Sequence, residues 1–206
     1  VSLHGTGGAW MTADAAANPE RLFAAVFHSL DRKVCNTLNV FCVTRDAAPA
    51  LIPVFLAALD AAAARRGHGV KLHVVEGDEA VLPAEWRAAR VQVSRAEGLR
   101  DEAKVDILQQ ADLGREWEWE ETPELPLKLV DDLDQAISLF NHYSPQFCAS
   151  LISEDAEAQA RFYASLNAPF VGDGFTRWVD GQYALNKPEL GLSNWEFGRL
   201  FARGGV

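Results

Sequence analysis

The sequence has few of the residues that mark the more specialised classes of protein. It contains three cysteines and one methionine among 206 residues, and no two cysteines form a CxxC pair. An odd number of cysteines without such a pair indicates neither a disulfide framework nor a cysteine-ligated zinc site. No uninterrupted apolar run approaches the roughly 18–20 residues that a membrane span requires. The sequence therefore predicts no metal site and no membrane partner, and a reducing cytoplasm is the expected location.

Positive charge is also scarce. The chain has 19 lysines and arginines against 29 aspartates and glutamates, for a formal net charge of −10. An acidic surface disfavours broad electrostatic attraction to nucleic-acid phosphates, so a nucleic-acid partner is not expected. Hydrophobic residues make up 49% and charged residues 23%, which is ordinary globular usage. We therefore expect one folded domain over residues 1–206 that binds a small molecule or another protein.

Short β-branched runs alternate with helical periodicity along the chain, which predicts an α/β fold with an open, mostly parallel sheet between two helical layers. The apolar run 39–44 has the length and composition of a strand buried on both faces. Asn18 before Pro19 predicts a helix start, and Asp131–Asp132 predicts another. Strands are predicted at 39–44, 71–75, 90–94, 147–152 and 169–171, and helices from 19 to about 30, at 46–66, from 133 through 140 and at 154–166.

Cys35 is the most informative cysteine. It follows Arg32 and Lys33 in a polar loop between a helix and a buried strand, and either nearby cations or backbone amides at a helix start would favour the reactive thiolate. Cys42 and Cys148 lie within apolar strand patterns and are expected to be core residues. Cys35 is therefore a candidate nucleophile, although packing is the commoner role of a cysteine.

Several separate motifs occur in one order along the chain. They are Gly5-Thr-Gly-Gly8, Cys35-Asn-Thr37, Val130-Asp-Asp-Leu-Asp-Gln-Ala-Ile137, Phe175-Thr-Arg-Trp-Val-Asp-Gly181 and Phe201-Ala-Arg-Gly204. Their order and approximate spacing resemble those of the gamma-glutamyl phosphate reductase (glutamate-5-semialdehyde dehydrogenase) branch of the aldehyde dehydrogenase superfamily. The resemblance implies an aldehyde-dehydrogenase-like catalytic domain and an NADP- or NAD-dependent oxidoreductase of proline biosynthesis.

In that family a cysteine thiolate attacks an acyl phosphate or aldehyde carbon, and hydride passes between the resulting thioester or thiohemiacetal and a nicotinamide cofactor. The resemblance assigns this role to Cys35, with its backbone N–H and Asn36 as donors to the oxyanion. Asn36 reads equally well as a turn residue. The glutamate that aldehyde-oxidising members place before the glycine turn falls on Gly5, which favours a reductase over a hydrolytic dehydrogenase. His4 could replace that base, but a structural role is commoner for a histidine at a strand end.

Other candidate site residues also come from the resemblance. Thr176 and Arg177 would bind the anionic end of the substrate, because a guanidinium offers two donors to a carboxylate or phosphate. An internal ion pair of Arg177 is the competing interpretation. Glu120, three residues after Trp117, would contact the cofactor ribose, although it lies in an acidic run that could equally be a solvated edge.

The chain also departs from the family pattern. Phe201 stands where the family has histidine, residues are inserted around 195–199, and the family's glycine-rich element is altered over 184–189. No dinucleotide-binding GxGxxG motif is present. The expectation is a catalytic domain whose cofactor-binding domain is absent from this chain and which is inactive alone. The resemblance allows a homo-oligomer.

Three alternatives stay open. They are a non-catalytic aldehyde-dehydrogenase-like binding or oligomerisation module, a fragment of a general aldehyde dehydrogenase, and a cysteine hydrolase that pairs Cys35 with one of the five histidines.

Overall fold

The computed structural model describes residues 7–179 and the short segments 195–196 and 199–200. Its strands form one large sheet, an antiparallel hairpin and a separate two-stranded pair. The strands are β1 (Ala9–Ala13), β2 (Leu38–Thr44), β3 (Lys71–Val75), β4 (Arg90–Arg95), β5 (Gly98–Ala103), β6 (Val105–Leu108), β7 (Glu124–Val130), β8 (Cys148–Ile152), β9 (Phe170–Gly172), β10 (Trp195–Glu196) and β11 (Arg199–Leu200). The helices are α1 (Pro19–Ser29), α2 (Ala48–Arg65), α3 (Ala84–Ala88), α4 (Leu133–Tyr143) and α5 (Ala156–Ser165), and 3-10 turns lie at Glu79–Val81, Gln110–Gly114 and Thr176–Val179.

The large sheet has seven parallel strands in the order β6-β3-β7-β2-β1-β8-β9. Helices cover both of its faces. One core cluster joins α1 and α2 to the sheet through residues such as Leu22, Phe41 and Leu59. A second cluster joins α4 and α5 to the opposite face through Trp10 and Phe140. The predicted three-layer αβα fold is confirmed.

Local sequence explains where the helices start. The Asn18 side chain accepts hydrogen bonds from the backbone N–H groups of Glu20 and Arg21, at 2.9 and 3.0 Å. Asp132 caps α4 in the same way, with 2.8 Å from its Oδ1 to the N–H of Gln135. Such caps pair amides that have no partner inside the helix. Both predicted helix starts are confirmed.

The strands predicted at 39–44 and 71–75 are confirmed as β2 and β3, whereas β1 and β7 are also completely buried but were not predicted. Every residue of β2 and of β3 is buried, which explains the apolar run 40–43 of β2, and the buried Lys71 and His73 of β3 pair with acidic side chains. The predicted strand at 90–94 exists as β4, but it pairs antiparallel with β5 outside the large sheet. Its alternation of exposed Arg90 and Gln92 with buried Val91 and Val93 suits a hairpin covered on one side.

Helix α2 is long and apolar enough to cross a membrane, and it alone meets that criterion among the described helices. Half of its apolar 18-residue stretch is buried inside the fold. Length and composition are weak evidence of a membrane span, because buried core helices meet the same criterion.

Candidate active site

The predicted nucleophile lies at the amino-terminal edge of the sheet. Residues 30–37 form the cysteine loop, which ends where β2 begins, and Gly7–Gly8, the glycine turn, lead directly into the neighbouring strand β1. Because parallel strands all begin at one edge, these two segments meet there. His4, Gly5 and the motifs beyond residue 179 lie outside the described residues.

The glycine turn and the cysteine loop touch through their backbones. The N–H of Gly8 donates to the carbonyl of Cys35 at 2.7 Å, and the N–H of Ala9 donates to the carbonyl of Thr37 at 2.9 Å. A Cβ placed on Gly7 would lie 2.8 Å from the Cα and 2.9 Å from the carbonyl oxygen of Cys35. Only glycine therefore fits against the cysteine loop here.

Thr37 shapes the cysteine loop from within. Its buried hydroxyl accepts from the N–H of Val34 at 2.8 Å and donates to the carbonyl of Arg32 at 2.6 Å. The N–H of Thr37 also donates to the carbonyl of Val34, at 3.0 Å. These bonds close a tight turn around Cys35 and satisfy polar groups that would otherwise be buried without partners.

The three thiols differ in accessibility. Cys35 is half-buried, whereas Cys42 in β2 and Cys148 in β8 are completely buried. Burial raises the pKa of Cys42 to about 12. Burial also raises the pKa of Cys148 well above its ordinary value, with a smaller contribution from the nearby Cys35. Since the thiolate is the nucleophilic form, Cys35 is the thiol of the described chain best placed to react.

Asn36, Thr176 and Arg177 meet behind the cysteine loop, all of them buried. The Thr176 hydroxyl donates to the Asn36 carbonyl at 2.7 Å, and the Arg177 guanidinium donates to the Asn36 side-chain oxygen. The Nε of Arg177 also donates to the Asp31 carboxylate at 2.7 Å. The internal ion pair that competed with substrate binding is therefore present, and a substrate contact of Thr176 or Arg177 stays a prediction.

The contact of Arg177 with Asn36 also orients the Asn36 side chain. A guanidinium can only donate, so the oxygen of the Asn36 amide must face Arg177. The Nδ2 end is then the donor that can point elsewhere. The oxyanion role of Asn36 stays a prediction.

The glutamates of the acidic run, residues 116–121, differ in their contacts. The side chain of Glu120 is exposed, and the backbone carbonyl of Glu120 accepts a hydrogen bond from Arg66. The predicted contact of Glu120 with a cofactor ribose stays a prediction. Glu116 instead reaches the cysteine loop. Its carboxylate accepts from the N–H of Gly7 and from the Nζ of Lys33, each at 2.5 Å. Sequence reasoning missed this contact, although the alternation Glu-Trp-Glu-Trp does indicate which residues share a side.

A separate polar cavity of about 530 Å³ opens beside β3, β6 and the β4–β5 hairpin. Arg95 joins Glu102 and Glu124 across it, at 2.7 and 2.8 Å, and Glu124 also contacts His73 at 2.8 Å. Hydrogen bonding from Arg95, aided by Lys71, lowers the pKa of Glu102 to about 2. Arg95, Glu102, Glu124 and His73 on its walls thus pair with one another. No three His, Cys, Asp or Glu side chains within the described residues are arranged to hold a metal ion.

The fold is that of the aldehyde dehydrogenase family. It is similar to an engineered glycolyl-CoA reductase with bound NADP+ (TM-score 0.62, 16% identity, 97% of this chain and 48% of that one) and to an acetylating aldehyde dehydrogenase from Geobacillus thermoglucosidasius (TM-score 0.61, 13% identity, 98% of this chain and 48% of that one). No family model matches the sequence.

Within this fold class, the resemblance to gamma-glutamyl phosphate reductase is confirmed. The chain is 28% identical over 205 residues to the enzyme named gamma-glutamyl phosphate reductase from Bifidobacterium adolescentis, an alignment that covers 97% of this chain. The crystal structure of gamma-glutamyl phosphate reductase from Thermotoga maritima superposes with a TM-score of 0.73 at 20% identity, over 98% of this chain. The chain spans 42% of the length of each of these two relatives.

Proposed function

We propose that this chain is the cysteine-bearing catalytic domain of an NAD(P)-dependent reductase that acts on an acyl phosphate or the corresponding semialdehyde, of the glutamate-5-semialdehyde type. The observation that carries the proposal is the position of Cys35. Its half-buried thiol lies in a loop held by the glycine turn on one side and by Thr176 on the other. The similarity to gamma-glutamyl phosphate reductase supports the substrate class.

The proposed reaction begins with acyl transfer. The Cys35 sulfur forms a bond to the acyl carbon while the bond from that carbon to the phosphate oxygen breaks. Phosphate leaves with the electron pair, the thiol proton passes to solvent or to the leaving phosphate, and a thioester remains on Cys35. The backbone N–H of Cys35, with Asn36 fixed by Arg177, is the proposed donor set for the negative oxygen formed during attack.

Reduction of that thioester would take hydride from a nicotinamide dinucleotide. Dinucleotide-binding folds hold the pyrophosphate at a glycine-rich turn between a strand and a helix. The turns that join β1, β2, β7 and β8 to their helices contain no glycine, and the turns after β3 and β9, with Gly77 and Gly174, lead into short 3-10 turns. The described residues therefore do not form such a cradle, and Glu120 is the single cofactor contact proposed for this chain. We place the rest of the NADP or NAD site in a domain outside this chain, and we expect no NADPH oxidation by the chain alone.

A thioester on Cys35 can be tested without the cofactor. The chain is incubated with acetyl phosphate at neutral pH, and the cysteine-containing peptides are mapped by mass spectrometry. We expect one acetyl group on Cys35, removable by hydroxylamine, and its loss in Cys35→Ser. The matched control Cys42→Ser should keep the adduct, because Cys42 is buried. Absence of an adduct on Cys35, or equal labelling of Cys42 in the folded protein, would refute the acyl-transfer proposal.

The alternatives have less support. A cysteine hydrolase needs a histidine beside Cys35, and the four histidines of residues 7–179 contact other groups: His28 packs against Phe175, His68 lies near Glu121, His73 pairs with Glu124, and His142 packs against Tyr143. A non-catalytic module predicts that Cys35 accepts no acyl group. Cys35-dependent NADPH oxidation by a longer protein that includes the cofactor domain would exclude that alternative.

A further inference from the structure

An ion pair between distant parts of the sequence lies beside the cysteine loop. Lys33 and Glu116 are 83 residues apart, and the Nζ of Lys33 lies 2.5 Å from the Oε1 of Glu116. The Lys33 side chain is 9% exposed and that of Glu116 is 18% exposed. An ion pair so shielded from water is screened less by salt than a surface pair, so its charges act strongly on neighbouring groups.

Glu116 also contacts the glycine turn that packs against Cys35. Its second oxygen accepts from the N–H of Gly7 at 2.5 Å. A Cβ placed on Gly7 would lie 2.7 Å from the Glu116 carboxylate and 2.8 Å from the Cα of Cys35. The carboxylate and the cysteine backbone therefore flank the same glycine, and Lys33 lies two residues before Cys35 in the same loop.

The two charges have opposite effects on a thiol. A nearby cation favours the thiolate and lowers the thiol pKa, whereas a nearby carboxylate raises it. Other charged groups also face this region. Glu118 lies 3.8 Å from Lys33 but is 76% exposed, Arg177 is paired with Asp31 behind Asn36, and Arg32 precedes Lys33. The Cys148 thiol lies on the buried side.

We propose that Lys33 and Glu116 are positioning residues for Cys35. Lys33 favours the Cys35 thiolate, while Glu116 holds both Lys33 and Gly7 in place and offsets part of the effect of the cation. This inference rests on the proposed nucleophilic role of Cys35 and adds to it a source for the reactivity of the thiol. Neither side chain needs to touch the substrate.

The proposal predicts opposite effects of two single substitutions. The pH dependence of alkylation of Cys35 by iodoacetamide is measured on the full chain by peptide mapping. Lys33→Met leaves the carboxylate without its cation and should move the midpoint to higher pH. Glu116→Gln leaves the cation without its carboxylate and should move the midpoint to lower pH. Below the midpoint, we expect the alkylation rate to change roughly three- to tenfold, down in the first variant and up in the second.

Three further variants complete the test. The double variant Lys33→Met/Glu116→Gln should return the midpoint close to that of the unmodified chain. Glu118→Gln, the matched control on the exposed side of the same run, should change the rate less than twofold. Lys33→Arg keeps the cation and should leave the midpoint of the alkylation curve unchanged. If Lys33→Met does not fold, Lys33→Arg is compared with Glu116→Gln, which should lower the midpoint.

The outcomes separate this inference from the proposed function. If both single variants slow alkylation equally with an unchanged midpoint, the pair has only a structural role and the inference is wrong. If Cys35 in the unmodified chain is alkylated no faster than Cys42 at any pH, the proposed nucleophilic role fails first. Opposite shifts with recovery in the double variant would support both.

Discussion

The contact between Gly7 and Cys35 gives the sharpest structural prediction. In Gly7→Ala the new methyl group would lie 2.7 Å from Glu116 Oε1, 2.8 Å from the Cα of Cys35 and 2.9 Å from its carbonyl oxygen. Two of these three atoms belong to the backbone and cannot rotate away, so the glycine turn and the cysteine loop must separate. Insertion of a methyl group into a packed site costs about 1–3 kcal/mol.

For a chain of this length, a loss of 1–3 kcal/mol lowers the melting temperature by roughly 2–12 °C. The same separation should disturb the bond from the N–H of Gly8 to the carbonyl of Cys35, which is now 2.7 Å long. Because small displacements of a reacting group reduce rates strongly, we expect acylation of Cys35 by acetyl phosphate to slow roughly ten- to a hundredfold. Thermal unfolding and the acylation time course measure the two effects on one sample.

Gly174→Ala is the matched control. A Cβ on Gly174 would meet no atom within 4 Å, and its backbone lies outside the left-handed region. Its stability should therefore stay constant or rise by about 0.5 kcal/mol, because alanine restricts the unfolded chain. If Gly7→Ala unfolds at the same temperature as Gly174→Ala and is acylated at the same rate, the close packing of the glycine turn on the cysteine loop is wrong.

Three further predictions concern the cysteine loop and the polar cavity. Thr37→Val should lower the free energy of unfolding, measured in urea, by about 1–3 kcal/mol, because both hydrogen bonds of the buried Thr37 hydroxyl are lost. Thr37→Ser retains a hydroxyl and should keep most of that free energy. Arg177→Met should cost about 2–3 kcal/mol in the same assay through loss of its buried bonds, and an unchanged stability would exclude the internal role of Arg177. Hydrogen bonding to Arg95 holds the pKa of Glu102 in the folded protein at about 2, below its ordinary value of 4.5, so its stabilisation is complete above about pH 4.5 and is lost as the pH falls towards 2. Since Glu102 is partly exposed, the carboxylate of Glu102 contributes about 1–2 kcal/mol to the free energy of unfolding. Glu102→Gln should reduce the loss of stability between pH 5 and pH 2 by this amount in denaturation curves. An equally steep loss of stability in the variant would contradict this prediction.

The sequence predicts several elements whose local pattern agrees with their final environment, although the completely buried strands β1 and β7 were missed. Strand β3 is buried on both faces and is apolar enough to be recognised, and α1 begins at its capping Asn18. Strand β5 was missed because it is exposed and charged, and its pairing with β4 depends on contacts such as Arg90 with Asp101. A strand stabilised by ion pairs with its neighbour has no apolar periodicity to reveal it.

In the candidate site, too, some features can be related to the sequence and others depend on the fold. The motifs that carry the resemblance include the glycine turn and Cys35, and the structure brings these two together because both precede neighbouring strands of one parallel sheet. The contact of Glu116 with Lys33 could not be predicted, because four glutamates occupy 116–121 and only the fold decides which of them reaches the cysteine loop. An internal ion pair of Arg177 was one of the two predicted roles, but its partner Asp31, 146 residues away, could not be named from the sequence.

The direction of the helices decides between two sources of reactivity that the sequence left open for Cys35. Helices α1, α2, α4 and α5 each follow a strand of the parallel sheet, so their amino termini lie at its carboxyl edge. The cysteine loop lies at the opposite edge and follows Ser29, where α1 ends. A helix carboxyl terminus carries partial negative charge and disfavours a thiolate, and none of these four helices of the described chain begins at the cysteine loop. Within the described residues, we therefore expect the proposed Cys35 thiolate to be stabilised by cations and donors of the cysteine loop. Glu116 holds the Lys33 ammonium at the cysteine loop, so we expect removal of this charge to change the reactivity of Cys35 more than a change in any of these helices.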